Sequence, residues 1–175
     1  MVSCSSPTAA TNSKTRLVDE GRKRILLIAA SIRAGGRSHM AVDINGMTPL
    51  FQVFDMATSL KFYCDVLGFQ IVTTDANTAP PNHNWVWLRL NGTNLMLNTA
   101  YEYDKRPLSP DLRRLAIHRD TALYFGAPDV DAVYAHLRAQ GIKVKEPKVA
   151  PYGMKQLYLR DPDGFELCFQ CQASR

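Results

Sequence analysis

Landmarks of this chain recur at a nearly constant offset, and that recurrence restricts the fold more than any other feature. Asp55 and Asp129 each open a segment whose apolar residues fall at helical spacing, and Gly68 and Gly141 each close one. Gly92 and Gly164 sit in tight turns, and Leu95-Met96-Leu97 answers Leu167-Cys168-Phe169, all at offsets of 72 to 74 residues. Asp suits a helix start because its carboxylate accepts orphan N–H groups, and Gly suits a helix end because it tolerates positive φ.

Around these landmarks the pattern predicts strands over 48–54, 69–73, 85–90 and 94–98, with a helix between Asp55 and Gly68. It then predicts strands over 121–126, 142–145, 155–159 and 165–170, with a helix from Asp129 to Gln140. Each half therefore reads β-α-β-β-β. One such unit covers one face of its sheet with its helix and leaves the other bare, so two units must share the bare face. The expected fold is α+β, two tandem βαβββ modules at about 47–100 and 120–172 forming a curved, partly open eight-stranded sheet around a cleft. Concave, mostly apolar sites of that kind bind small molecules.

The length suits one domain. The net charge of +5 comes from residues 1–39, where seven Lys and Arg face Asp19 and Glu20; residues 40–175 balance 14 basic against 14 acidic side chains. The folded part thus offers no field for a polyanion, which argues against a nucleic-acid partner. Residues 1–39 read as a disordered basic extension and 40–175 as the domain. The apolar stretch from Ile25 to Ile32 is too short to span a bilayer, so no membrane partner is expected. Cys4, Cys64, Cys168 and Cys171 are too few for a secreted disulfide framework, and a reducing cytoplasm fits better. Cys168 and Cys171 form a C-x-x-C, but a strand points positions i and i+3 to opposite faces, which disfavours a redox or zinc role.

The segments D-M-A-T-S-L-K-F-Y-C-D-V-L-G-F (55–69), N-G-T-N-L-M-L (91–97), D-V-D-A-V-Y-A-H-L-R-A-Q-G (129–141) and D-P-D-G-F-E-L (161–167) carry a family resemblance. They resemble signature segments of the vicinal oxygen chelate superfamily of glyoxalases, bleomycin-resistance proteins and extradiol dioxygenases. Fold does not fix function here, since isomerases, lyases, dioxygenases and non-catalytic drug binders share this scaffold.

In metal-using members of the family, the first and last strands of each module supply His, Gln or Glu to a divalent ion. Carried over, those positions are Thr48 and Met96 in the first module and Ala122 and Cys168 in the second. None is an imidazole or carboxylate, so no metal and no cofactor is expected. A two-sulfur Cu(I) site from Met96 and Cys168 is the alternative, against apolar packing of both. None of the four histidines converges: His39 lies in the extension, His83 in a Pro-rich loop, His118 before a strand and His136 at an exposed helix position. His118 is the best candidate among them for a functional role, against a solvated loop residue.

Period-two alternation then places Gln52 with Thr48, Asn98 with Met96, Tyr124 with Ala122, and Glu166 and Gln170 beside Cys168 on the cleft face. Glu166 is the one carboxylate there, a candidate general base or cation partner. Trp85 and Trp87 share a face with Arg89 and form either a stacking wall for a planar ligand or packing under the helix. Residues 101–107 read as a polar connector or a lid.

Two readings follow. The resemblance to metal-free bleomycin-resistance-like members implies a homodimeric binding protein that sequesters an antibiotic-like or planar small molecule without turnover. The alternative is a metal-dependent glyoxalase-type lyase, isomerase or dioxygenase with non-standard ligands, whose activity would fall on chelation. A structural or regulatory partner with a vestigial cleft is the third.

Overall fold

The first element, β1 (Leu50–Val53), buries Phe51 and Val53 and exposes Leu50 and Gln52, the alternation expected of a strand with one covered face. The structure is a computed structural model that describes residues 44–76, 78 and 83–174. The expected basic extension, residues 1–39, and His39 lie outside the described residues. From Gly46 onward the chain forms one compact unit.

After β1 come α1 (Met56–Leu60), which runs on as a π-helical segment over Lys61–Val66, then β2 (Gln70–Thr74), β3 (Trp85–Leu90) and β4 (Thr93–Thr99). A 3-10 turn (Tyr103–Lys105) and α2 (Leu112–His118) lead to β5 (Ala122–Gly126), α3 (Val130–Ala139), β6 (Lys148–Val149), β7 (Met154–Arg160) and β8 (Glu166–Gln172). The sheets have matching orders, β1-β4-β3-β2 and β5-β8-β7-β6, with the outer first strand parallel to the last in each. The repeat read from the landmarks is thus two modules of one topology. Among the described residues they are separate four-stranded sheets with no ladder between them.

Three sequence expectations are corrected. No strand forms over 142–145; β6 starts after Pro147, which has no N–H to give a ladder. The hairpin closed by Ala150 and Gly153 then sets the pairing of Val149 with Lys155. Asp55 does not cap its helix: its carboxylate takes the Thr58 hydroxyl and pairs with Arg106, whereas Asp129 accepts the Ala132 N–H at 2.9 Å. The stretch before β5, where His118 reads as a loop residue, carries α2, begun by Asp111 accepting the Arg113 N–H at 2.9 Å. This helix escaped notice because Leu112 and Ile117 stay exposed, so no apolar stripe announces it.

The covered faces form one core. Phe51, Val53, Val86, Leu88, Leu95 and Leu97 pack with Met56, Phe62 and Tyr63, and Leu157, Leu159 and Leu167 with Val130 and Leu137. At roughly 25 cal/mol per Å² of apolar surface removed from water, burial of this set is the main stabilising term. α3 ends where Gly141, at φ +76°, lets the Gly141 and Ile142 N–H groups reach the carbonyls of Arg138 and Leu137, both at 3.0 Å.

The modules meet at the turn Asp161–Gly164. Asp163 accepts the Phe54 N–H at 2.7 Å and the Ser59 hydroxyl at 3.3 Å, and Asp161 accepts the Tyr63 hydroxyl at 2.9 Å. Asp161 also accepts the N–H groups of Asp163 and Phe165. Phe165 stacks on Phe51 at 3.8 Å and on His118 at 4.0 Å, and His118 Nδ1 lies 2.7 Å from the Asp163 carbonyl. A carbonyl only accepts, so Nδ1 carries the proton there. His118, the favoured functional histidine, is therefore part of the module joint and neither a solvated loop residue nor a free base.

Candidate functional site

The residues left uncovered by α1 and α3 form two open sheet faces. On the first module, the ladder aligns Leu50, Met96, Trp87 and Thr73 in one row and Gln52, Asn98 and Trp85 in the next. Val86 and Leu88, alternating with the indoles, are fully buried, so Trp85 and Trp87 lie on the face away from the helix. That resolves the two placements the sequence leaves open for them. The Trp87 indole N–H and the Arg89 guanidinium both donate to Asn94 Oδ1, at 3.1 and 3.0 Å, and Arg89 lies 5.8 Å from the Trp87 ring centroid. Asn98 donates to Gln52 Oε1 at 3.2 Å. Thr48 precedes β1 and is half-buried.

On the second module the rows are Tyr124, Cys168 and Tyr158; Ala122, Glu166 and Arg160; and Gly126, Gln170 and Gln156. Tyr124 and Tyr158 meet edge to face at 6.4 Å, and Cys168 between them is fully buried. Gln156 Oε1 accepts the hydroxyls of Tyr152 and Tyr158 at 2.9 and 3.0 Å, and its amide donates to Gln170 at 2.9 Å. A cavity of about 210 Å³ adjoins Gln156 and Tyr158, walled by Lys145, Lys148 and Val149.

Each pair of expected residues on a given strand shares a face, and Met96 and Trp87, Asn98 and Trp85, Tyr124 and Cys168, and Ala122 and Glu166 are direct neighbours across the ladders. Gln156, Tyr158 and Arg160 were missed. The signal for them is the alternation along β7 opposite Cys168, on a strand that supplies none of the family ligand positions.

The electrostatics limit what these groups do. Burial raises the Cys168 thiol above its ordinary value, partly offset by a hydrogen bond from Tyr158, so it is protonated near neutrality. A hydrogen bond with Tyr124, desolvation and Cys168 raise the Tyr158 phenol, which remains a neutral donor and acceptor. Glu166, the one expected catalytic group, is half-buried with Arg160 Nη2 3.8 Å away. That carboxylate faces a cation rather than a second acid or base.

The donor set does not fit the divalent ion of metal-using relatives. Its four positions hold a hydroxyl, a thioether, a methyl and a buried protonated thiol, and Met96 and Cys168 lie on different sheets. Among the described residues no three His, Cys, Asp or Glu side chains converge as ligands. No helix among them is long and apolar enough to cross a membrane.

The profile of the Glyoxalase/Bleomycin resistance protein/Dioxygenase superfamily matches residues 38–169. An Escherichia coli (strain K12) relative, the uncharacterized protein YaeR, is 34% identical over 119 residues, covering 65% of this chain and 84% of its own. The bleomycin resistance determinant encoded on transposon Tn5 superposes with a TM-score of 0.56 at 23% identity, over 75% of this chain and all of that one. A glyoxalase/bleomycin resistance protein/dioxygenase from Nocardioides gives 0.58 at 19% identity, over 78% and 89%. The antibiotic-binding protein TnmS3 from Streptomyces sp. CB03234 gives 0.53 at 24%, over 77% and 100%. These three structural likenesses bear on the fold.

Proposed function

This chain belongs to the Glyoxalase/Bleomycin resistance protein/Dioxygenase superfamily, and we propose that it binds a planar, antibiotic-like small molecule on its open sheet faces without a metal ion. The observation that carries this reading is the chemistry at the four family ligand positions, Thr48, Met96, Ala122 and Cys168, with the Cys168 thiol buried between two tyrosines. A site built for Zn, Ni, Mn or Fe needs imidazole or carboxylate there.

In this reading Trp85 and Trp87 stack on the flat face of the ligand, and Gln52 and Asn98 hold its polar edge. Tyr124, Gln170 and the missed pair Gln156 and Tyr158 supply the opposing donors and acceptors around Cys168. Glu166, paired with Arg160, orients a cationic substituent and does not act as a base. Each open face stays half-exposed in one chain, which supports a homodimer in which a second copy covers it. A cytoplasmic location is in keeping with Cys64, Cys168 and Cys171, which among the described residues are free thiols on helix and strand positions.

Elemental analysis of purified protein, with fluorescence titration of the two tryptophans by metal-free bleomycin and by an anthraquinone, tests the reading. Metal well below one per chain together with saturable quenching supports it. A stoichiometric transition metal, or no quenching by either compound, overturns it. Light scattering reads the dimer.

A further inference from the structure

A larger cavity, of about 620 Å³, lies on the helix-covered side of the sheets, where the two modules come together. It is separate from the open faces: Phe125 and Phe169, which wall it, alternate along β5 and β8 with Tyr124, Cys168 and Gln170. It opens to solvent on one side, and small-molecule clefts occupy about 300 to 1,000 Å³.

Its wall is aromatic. Phe69 of the first module meets Phe125 of the second edge to face at 6.4 Å, and Phe125 stacks on Phe169 at 5.2 Å with 22° between the planes. Leu90, Val133 and Leu137 complete the apolar lining. Polar groups are confined to Asn91, Thr93 and His136 among the side chains. His136 Nε2 lies 2.7 Å from the Val66 carbonyl, which only accepts, so Nε2 is the donor nitrogen and Nδ1 is the one left as acceptor in that tautomer. An imidazole acceptor beside an aromatic wall suits a fused-ring aromatic that donates a hydroxyl.

We infer that this cavity between the modules is a second small-molecule site, taking a fused-ring aromatic compound with one hydroxyl group that donates to His136. It is independent of the open-face reading, because no side chain that lines it belongs to that surface; only the Gly126 backbone borders both. Since both modules contribute rings, an occupant there also braces their junction.

The test is titration of the full chain with 2-naphthol and, separately, with naphthalene, followed by amide and indole chemical shifts. The expected result is saturable binding of 2-naphthol, with shifts grouped at 67–69, 125–127 and 132–137 and the indole signals of Trp85 and Trp87 unmoved. Naphthalene, which lacks the hydroxyl, should bind about five- to tenfold more weakly, and His136→Phe should erase that difference. Ala132→Trp and Thr93→Phe, both at exposed lining positions, should each weaken 2-naphthol at least about tenfold by filling the space from opposite walls. No saturable binding below about 1 mM, or shifts centred on the two indoles, overturns the inference. The indole signals also separate its failure from that of the open-face reading.

Discussion

The turns at Asn91-Gly92 and Asp163-Gly164 occupy the same place in the two modules, 72 residues apart, yet they do opposite work. Asn91 and Gly92 form an exposed hairpin tip with φ of 46° and 83°, and a Cβ on Gly92 would meet nothing within 4 Å. Asp163 and Gly164 are inserted between the first module and α2, where a Cβ on Gly164 would lie 2.9 Å from the Leu115 carbonyl oxygen. A turn at the same place in the module, alike in the positive φ of its glycine, is therefore a solvent-facing reversal in one module and the module joint in the other. What differs is the partner surface, Phe54, Ser59 and Tyr63 on one side and His118 and Leu115 on the other.

That contrast can be broken most forcefully at Asp163. Asp163→Ala strips the acceptor from the Phe54 N–H and the Ser59 hydroxyl and should cost about 3 kcal/mol, against under about 1 kcal/mol for Asn91→Ala, as read by urea unfolding. Equal losses would mean the buried turn is not the joint. Next, Gly164→Ala should cost about 2 to 3 kcal/mol, because backbone strain at φ +88° adds to a clash with backbone, while Gly92→Ala should cost about 1 kcal/mol from φ alone. A ratio near one would sink the steric part of the account.

Tyr63→Phe removes one buried hydrogen bond to Asp161 and should cost about 1 to 1.5 kcal/mol in the same assay. A separate effect is in pH. Burial is the chief cause that pushes the Asp161 carboxyl up to about 6 from 3.8, against the hydrogen bond from Tyr63. The folded state then holds the proton more tightly than the unfolded one, so this contribution to stability is present below about pH 4 and lost as pH rises through 6. Unfolding free energies measured from pH 4 to 7 should fall more steeply in the parent than in Asp161→Asn; parallel curves would remove Asp161 as the source.

The open faces repeat the lesson in subtler form. Leu50-Met96-Trp87 and Tyr124-Cys168-Tyr158 are equivalent rows, and so are Gln52-Asn98-Trp85 and Gly126-Gln170-Gln156. Most of these groups were legible, because strand alternation assigns a face once one residue is placed. Gln156, Tyr158 and Arg160 are legible by the same rule, from their alternation along β7. The Asn94 link between Trp87 and Arg89 was not, since it needs the β3–β4 register to bring residues five and seven apart together.

Landmark spacing by itself determined the two βαβββ modules and most of their strands, because local periodicity and turn residues are written in adjacent positions. Tertiary structure alone decided that Asp161, Asp163 and His118 fasten the modules together, that Asp55 serves Arg106 instead of its helix, and that an aromatic cavity opens between Phe69 and Phe125. Each of those depends on groups 45 to 109 residues apart meeting in a buried setting, and no pattern along the chain encodes which long-range partner wins.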